Sequence, residues 1–291
     1  MKINNQKIKI YFVGIGGIGM SGIAELMHEI GYTVLGSDKI ESENVKRLKK
    51  IGIMVKIGHD KKNLRKVSAV VFSSAISPKN PEIKEAKKKH IPIVSRADML
   101  SELMKNKKCI AVAGSHGKTT TTSLVGNILE SGKLDPTIVN GGIINSLSKN
   151  NKFGKGKWMV VEADESDGSF LKLPHEISII TNLDIEHLDY YKTPKKLYSS
   201  FEKFIMNLPF YGTSIINEDD ENLKKIIQKN DTRRIITFSI KNKKSNVFVD
   251  NIHFDKQCSH FTLNFNFSDE KLSKSYSYKL NAIGLHNIYN A

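Results

Sequence analysis

The chain has 291 residues, 39% hydrophobic and 26% charged, with a formal net charge of +15. That length suits two domains better than one, and no apolar stretch approaches the roughly 18 residues needed to span a bilayer. The lysine excess lies in scattered runs, such as 46–50, 61–62 and 87–89, with no zinc-finger spacing or aromatic RNA-binding signature, so it reads as solvated helix faces rather than a nucleic-acid surface.

The chain opens on strand-like Lys9–Val13, not on a signal peptide. Gly14-Ile15-Gly16-Gly17-Ile18-Gly19 then turns into a helix through Ile30. Strands are predicted at 33–37, 53–57, 69–73 and 91–94, and helices at 43–51, 81–89 and 97–105. Strand alternating with helix predicts a parallel, doubly wound sheet. The glycine loop resembles the dinucleotide fingerprint, and Asp38 follows at about the distance of a ribose-binding carboxylate. Alone this is a weak signal for a nicotinamide, and a second phosphate loop further on argues for two different nucleotides.

Residues 105–108 read as a polar linker, dividing the chain into domains 1–106 and 107–291. The second domain begins with the buried strand Cys109–Ala113 and the loop Gly114-Ser115-His116-Gly117-Lys118-Thr119-Thr120, followed by a helix over 121–130. A glycine turn between strand and helix, ending in Lys-Thr, is a phosphate cradle. Backbone N–H groups and the helix N-terminus face an anion, the lysine reaches terminal phosphates, and the threonine hydroxyl suits Mg²⁺. The loop is a short form, G-x-x-G-K-T. Further α/β units are predicted: strands 158–162, 177–181, 214–217 and 234–238, with helices 194–207 and 221–229. Three antiparallel strands follow at 247–254, 259–267 and 275–281. Residues 284–291 read as the opening of a helix, which suggests a fragment of something longer.

Two polar clusters fall at strand ends, where α/β sheets bind ligands. Glu162-Ala163-Asp164-Glu165-Ser166-Asp167 offers hard oxygen ligands, with Glu162 the first choice for Mg²⁺. Thr181 to Asp189 offers Asn182 and His187. Cys109 and Cys258 are distant in sequence, which argues for a reducing compartment, and Cys109 reads as a buried inert thiol.

Taken in order, Gly114–Thr120, Glu162–Asp167, Glu186–Asp189 and His286–Asn290 resemble the Mur ligase family, which builds the peptide of the bacterial cell-wall precursor. The loop 14–22, with 73–76, 96–100 and 207–212, is similar to the branch that joins L-alanine to UDP-N-acetylmuramate. The resemblance implies a cytoplasmic, ATP-dependent, Mg²⁺-requiring amide-forming ligase. Its N-terminal Rossmann-like domain would be followed by a P-loop ATPase-type α/β central domain with an antiparallel β extension. Partners would be UDP-N-acetylmuramate, L-alanine and ATP, with no nucleic acid and no membrane. The implied roles are these. Gly114, Ser115, His116, Gly117, Lys118, Thr119 and Thr120 hold ATP phosphates, and Asn287 and Asn290 approach the base or the loop. Thr119, Glu162 and His187 ligate metal, and Lys118, Glu162 and His187 are the catalytic set. Gly16, Gly17, Gly19 and Ser21 cradle the UDP diphosphate, and Asp38, Ser73, Ser74 and Arg96 are further UDP contacts. Glu186 stands where the family usually has Asp, and Asp98 where it has Glu. No lysine is assigned as the carbamylated metal bridge of related branches, and the family's third, C-terminal domain is missing. A catalytically inactive fragment that binds UDP-sugar and ATP, or a ligase that recycles wall tripeptides, stays open.

Overall fold

The computed structural model describes residues 8–73, 75–140, 151–229, 232–269 and 272–291. The chain forms two compact units, 1–105 with 139–153 and 106–138 with 154–291.

In the first unit, strands and helices alternate as β1 (Lys9–Val13), α1 (Ile18–Glu29), β2 (Thr33–Asp38), α2 (Glu43–Lys50), β3 (Met54–Ile57), β4 (Ala69–Phe72), α3 (Pro81–Lys88), β5 (Ile93–Ser95) and α4 (Arg96–Met104). The sheet order is β3-β2-β1-β4-β5, with every pair parallel. Central β1 is apolar after Lys9 because helices cover both faces of such a sheet, and Tyr11, Phe12 and Val13 are 2% exposed or less. Tyr11 and Val13 pack with Leu64, Val70, Ile83 and Ala86. Helix starts follow local chemistry. Ser42, Asn80 and Ser95 accept an N–H from the first turns of α2, α3 and α4, and Pro81 opens α3. Asp98 completes the α4 cap, accepting from the Ser95 hydroxyl at 2.5 Å. An aspartate is long enough for that bond, which accounts for the shorter acid at this position.

The second sheet carries β6 (Lys108–Ala113), β7 (Thr137–Val139), β8 (Asn151–Lys152), β9 (Trp158–Glu162), β10 (Ile177–Ile180), β11 (Thr213–Asn217), β12 (Arg234–Ser239), β13 (Val247–Phe254), β14 (Ser259–Phe265) and β15 (Ser275–Leu280). Its order is β15-β14-β13-β12-β11-β10-β6-β9-β7-β8. Strands β13, β14 and β15 form the antiparallel extension, joined in parallel through β13 to β12. Helices α5 (Lys118–Ser131), α6 (Leu188–Tyr191), α7 (Pro194–Met206), α8 (Glu221–Lys229) and α9 (Leu285–Asn290) complete the α-helices among the described residues, beside short 3-10 turns at Lys61–Asn63 and Ser169–Lys172. Ile110, Val112 and Val160 form a core under Val125 and Leu129 of α5, and α7 buries Phe201 and Phe204 against Phe170. Ile288 of α9 packs on Val249 and Phe261.

Two expectations shift. Lys108 is not linker but the first residue of β6, paired with Trp158. Helix α5 starts at Lys118 rather than 121, because Gly117 takes the left-handed conformation (φ +81°) and ends the turn one residue before the lysine. Strand β7 and helix α6, only three and four residues long, escape periodicity arguments.

Candidate functional site

Parallel pairing sets the geometry of the second unit's site. Strand β6 lies between β9 and β10, with Val112 opposite Glu162 and Ala113 opposite Ile180. The loop leaving β6 therefore emerges between the ends of two neighbours, one supplying Glu162 and the other Thr181 and Asn182.

Asn182 holds the loop from the side. Its carbonyl accepts the Ser115 N–H at 3.2 Å, and its Oδ1 accepts the His116 N–H at 2.7 Å. Its amide and the Thr181 hydroxyl donate to the His116 carbonyl. Two amides of the turn are thus engaged within the protein. The donors left to an anion are those of the first turn of α5, which no side chain caps. A Cβ on Gly114 or Gly117 would meet Thr181 or Asn290 at 2.2 Å, and both residues have positive φ (+132° and +81°), so both positions favour glycine.

Lys118 lies back along this turn. Its ammonium donates to the Gly114 and Ser115 carbonyls at 2.6 and 3.2 Å and to Glu165 Oε1 at 3.1 Å. Glu165 Oε2 is 3.0 Å away but without hydrogen-bond geometry, and it is buried with no other partner. Glu165 is 1% exposed, and burial raises its carboxyl above the ordinary value, with Lys118 opposing. His187 Nε2 stands 3.7 Å from Glu165 Oε1, and Tyr191 of α6 donates to the Glu165 carbonyl at 2.5 Å. Thr119 donates to Glu162 Oε2 at 2.9 Å.

The acidic cluster therefore divides. Glu162 and Glu165 face the loop, whereas Asp164 and Asp167 each accept the N–H two residues on, as turn carboxylates do. Glu165 was not singled out from the sequence. Its position between Glu162 and Asp167 was visible there, but its burial against Lys118 was not.

A cavity of about 420 Å³ adjoins the loop, lined among others by His116, Gly117, Asn182, Asp219, His286 and Asn290. His116 Nε2 reaches Asp184 Oδ2 at 3.1 Å and Glu186 Oε1 at 3.6 Å. Asp219 accepts from Ser239, Ile240, Tyr289 and Lys241; burial pushes its carboxyl up, but these bonds together hold it below the usual range. Asn287 turns aside and donates to the Ile283 carbonyl at 2.8 Å. Thr120 is exposed in the first turn of α5. Burial drives the Cys109 thiol up to about 12, as an inert thiol requires.

The first unit has its own loop, after β1. The Ser37 carbonyl accepts the Gly14 and Ile15 N–H groups at 2.8 and 3.0 Å, and Asp38 Oδ2 accepts the Gly16 N–H at 2.7 Å. Gly17 precedes α1, again without a side-chain cap. Ser21 is fully buried, with Arg47 Nη2 3.5 Å from its hydroxyl. Arg96 approaches Gly19 so closely that a Cβ there would meet its Nη1 at 2.4 Å. The Ser73 carbonyl accepts the Ile76 N–H at 3.0 Å, and Ser74 lies outside the described residues.

Among the described residues no cluster of three or more His, Cys, Asp or Glu side chains converges on a metal position, and no helix is long and apolar enough to cross a membrane.

Two strand–glycine-loop–helix devices, one of them carrying Lys-Thr beside two carboxylates, give this α/β protein two candidate anion-binding turns. The chain belongs to the Mur ligase family: residues 9–108 match its catalytic domain and residues 112–291 the Mur ligase middle domain. A UDP-N-acetylmuramate–L-alanine ligase of Xanthobacter autotrophicus is 47% identical over all of this chain and 62% of its own length. The crystal structure of the UDP-N-acetylmuramate–alanine ligase of Thermotoga maritima superposes with a TM-score of 0.83 at 31% identity, covering 97% of this chain and 63% of that one. At 23% identity, the Neisseria meningitides UDP-N-acetylmuramate:L-alanyl-gamma-D-glutamyl-meso-diaminopimelate ligase shares the fold, with a TM-score of 0.84 over 97% of this chain and 90% of its own. The chain thus spans about three fifths of the length of the Xanthobacter relative.

Proposed function

We propose that this chain supplies the two nucleotide sites of an ATP-dependent ligase that joins L-alanine to UDP-N-acetylmuramate in cell-wall precursor synthesis. Residues 1–106 would take the UDP-sugar and residues 107–291 the ATP. The observation that carries the reading is the second loop, where Lys118, the uncapped start of α5 and the Thr119–Glu162 pair meet at adjacent strand ends.

The chemistry requires that arrangement. A carboxylate is a poor electrophile because its charge repels nucleophiles and oxide is a poor leaving group. Attack of a carboxylate oxygen on the γ-phosphorus, with the bond to ADP breaking, makes an acyl phosphate. The alanine amine then attacks the acyl carbon, loses a proton, and phosphate departs. Anions approach one another in both steps, so charge neutralisation dominates the barrier. Lys118 would bind the β- and γ-phosphates, the amides of the first turn of α5 would orient them, and Asn182 would keep the turn in shape. Asn290 and the cavity beside it would take the nucleoside. His187, next to Glu165, would lie toward the acceptor end.

The residues fit Mg²⁺. The ion is held by one or two protein oxygens, its shell completed by phosphates and water, and the Thr119 hydroxyl and Glu162 carboxylate are hard oxygens 2.9 Å apart. Mg²⁺ would supply neutralisation of the phosphate charge. Gly16, Gly17, Gly19, Asp38 and Arg96 would surround the UDP diphosphate, with Ser73 beyond, whereas Ser21, which the sequence offered for the cradle, is fully buried and would support α1 from behind.

The test is phosphate release by the chain with UDP-N-acetylmuramate, ATP and Mg²⁺, with and without alanine. Binding of both nucleotides with alanine-dependent phosphate release supports the reading. Failure to bind ATP removes it.

A further inference from the structure

One buried carboxylate underpins the first glycine loop. Glu82, in the first turn of α3, has no solvent exposure. Four side chains from three segments converge on it. Oε1 accepts from the Tyr11 hydroxyl and the Asn63 amide, both at 2.8 Å. Oε2 accepts from the Ser37 hydroxyl at 2.6 Å and lies 2.9 Å from His59 Nδ1. Each oxygen thus has two polar neighbours, which is what a carboxylate needs in order to stay in a protein interior. Burial between these groups also holds the Tyr11 hydroxyl well above the ordinary phenol range.

The network reaches the loop at one residue. Ser37 gives its side chain to Glu82, while its carbonyl receives the Gly14 and Ile15 amides at 2.8 and 3.0 Å. The next residue, Asp38, receives the Gly16 amide. Three consecutive loop amides hang on two consecutive residues of β2, and the first of these is pinned from below by Glu82. Ser37 is itself fully buried and cannot touch a ligand, so any influence it has on binding passes through the backbone.

We infer that Glu82 is a positioning residue for the diphosphate-binding loop, acting through Ser37 to hold the end of β2 where the loop amides need it. Hydrogen bonds to an anion weaken steeply with misalignment, so a small displacement of that end reduces affinity without removing any contact residue. The inference rests on the proposed reading of this loop as the UDP-sugar site.

The experiment titrates UDP into the intact chain by calorimetry, well below its melting temperature. The unsubstituted chain is measured first. If it fails to bind UDP, the reading of the loop is at fault and the inference falls with it. Given binding, Ser37→Ala and Tyr11→Phe each remove one bond to Glu82, the first on the loop side and the second on the far side. Both lower Tm. Ser37→Ala and Glu82→Gln weaken UDP about tenfold, whereas Tyr11→Phe leaves its affinity within about twofold, and ATP affinity is unchanged throughout. Equal losses of UDP affinity in Ser37→Ala and Tyr11→Phe, or none in either, reduce Glu82 to scaffold and overturn the proposal. The comparison of those two substitutions decides even if Glu82→Gln does not fold.

Discussion

The two glycine loops look alike in sequence and are built on different plans. In the loop after β1, the amides of residues 14–16 bond to Ser37 and Asp38 on the neighbouring strand, and the nearby guanidinium, Arg96, comes from a distant segment. The loop after β6 carries its own cation, Lys118, packed against a buried carboxylate, and is steadied from the side by Asn182. The difference matches the chemistry proposed for each. A diphosphate that stays intact needs only a fixed cradle. A phosphoryl group in transfer needs charge brought to its oxygens as the transition state forms.

The contrast makes its strongest prediction at the lysine. Lys118→Ala should lower alanine-dependent phosphate release about 10²–10³-fold while leaving UDP binding intact by calorimetry. Loss of both would indicate misfolding rather than a severed phosphate contact. Gly117→Ala comes next. It places a Cβ 2.2 Å from Asn290 Oδ1 at a positive φ. It should cost about 1–2 kcal/mol of stability in denaturant unfolding and weaken ATP but not UDP. In the first loop, Asp38→Ala should weaken UDP about tenfold, the worth of one charge-assisted hydrogen bond at the low end. Asp38→Asn keeps an acceptor for the Gly16 amide and should lose less.

The smallest effect concerns pH. Burial raises the folded-state value of Glu165 above its unfolded one. The protonated side chain is therefore favoured in the fold, and that contribution, full below the ordinary carboxylate value, is lost as pH rises through the raised one. Measured against Glu165→Gln, whose amide does not titrate, the unsubstituted chain should lose Tm across that window and hold a constant difference above it. A pH-independent gap would contradict the raised value.

Much of the architecture was readable before any coordinates. Alternating strands and helices announced the parallel sheets, because apolar runs covered on both faces have few other solutions. The turn into three antiparallel strands after 247 was equally plain. Within the site, Lys118, Thr119 and Glu162 were legible because a phosphate loop is a local motif and strand ends are where sheets bind ligands. Three features were not. Glu165 differs from Asp164 and Asp167 in sequence by one methylene, and its burial against Lys118 appears only in the fold. Asn182 was offered at the rim, but its three bonds to a loop more than sixty residues earlier in the chain were not visible. Glu82 carries no local mark of its role in the sequence, yet it gathers polar partners from β1, β2 and the β3–β4 connection.

Local chemistry thus carried the order of the elements, the placement of both loops and the identity of the lysine, since each depends on residues a few positions apart. The selection among like side chains came from packing: which carboxylate is desolvated, which amide is already bonded, which serine steadies a loop. Those outcomes depend on groups that meet only after distant segments have assembled. A desolvated charge is tolerated only where every partner has arrived.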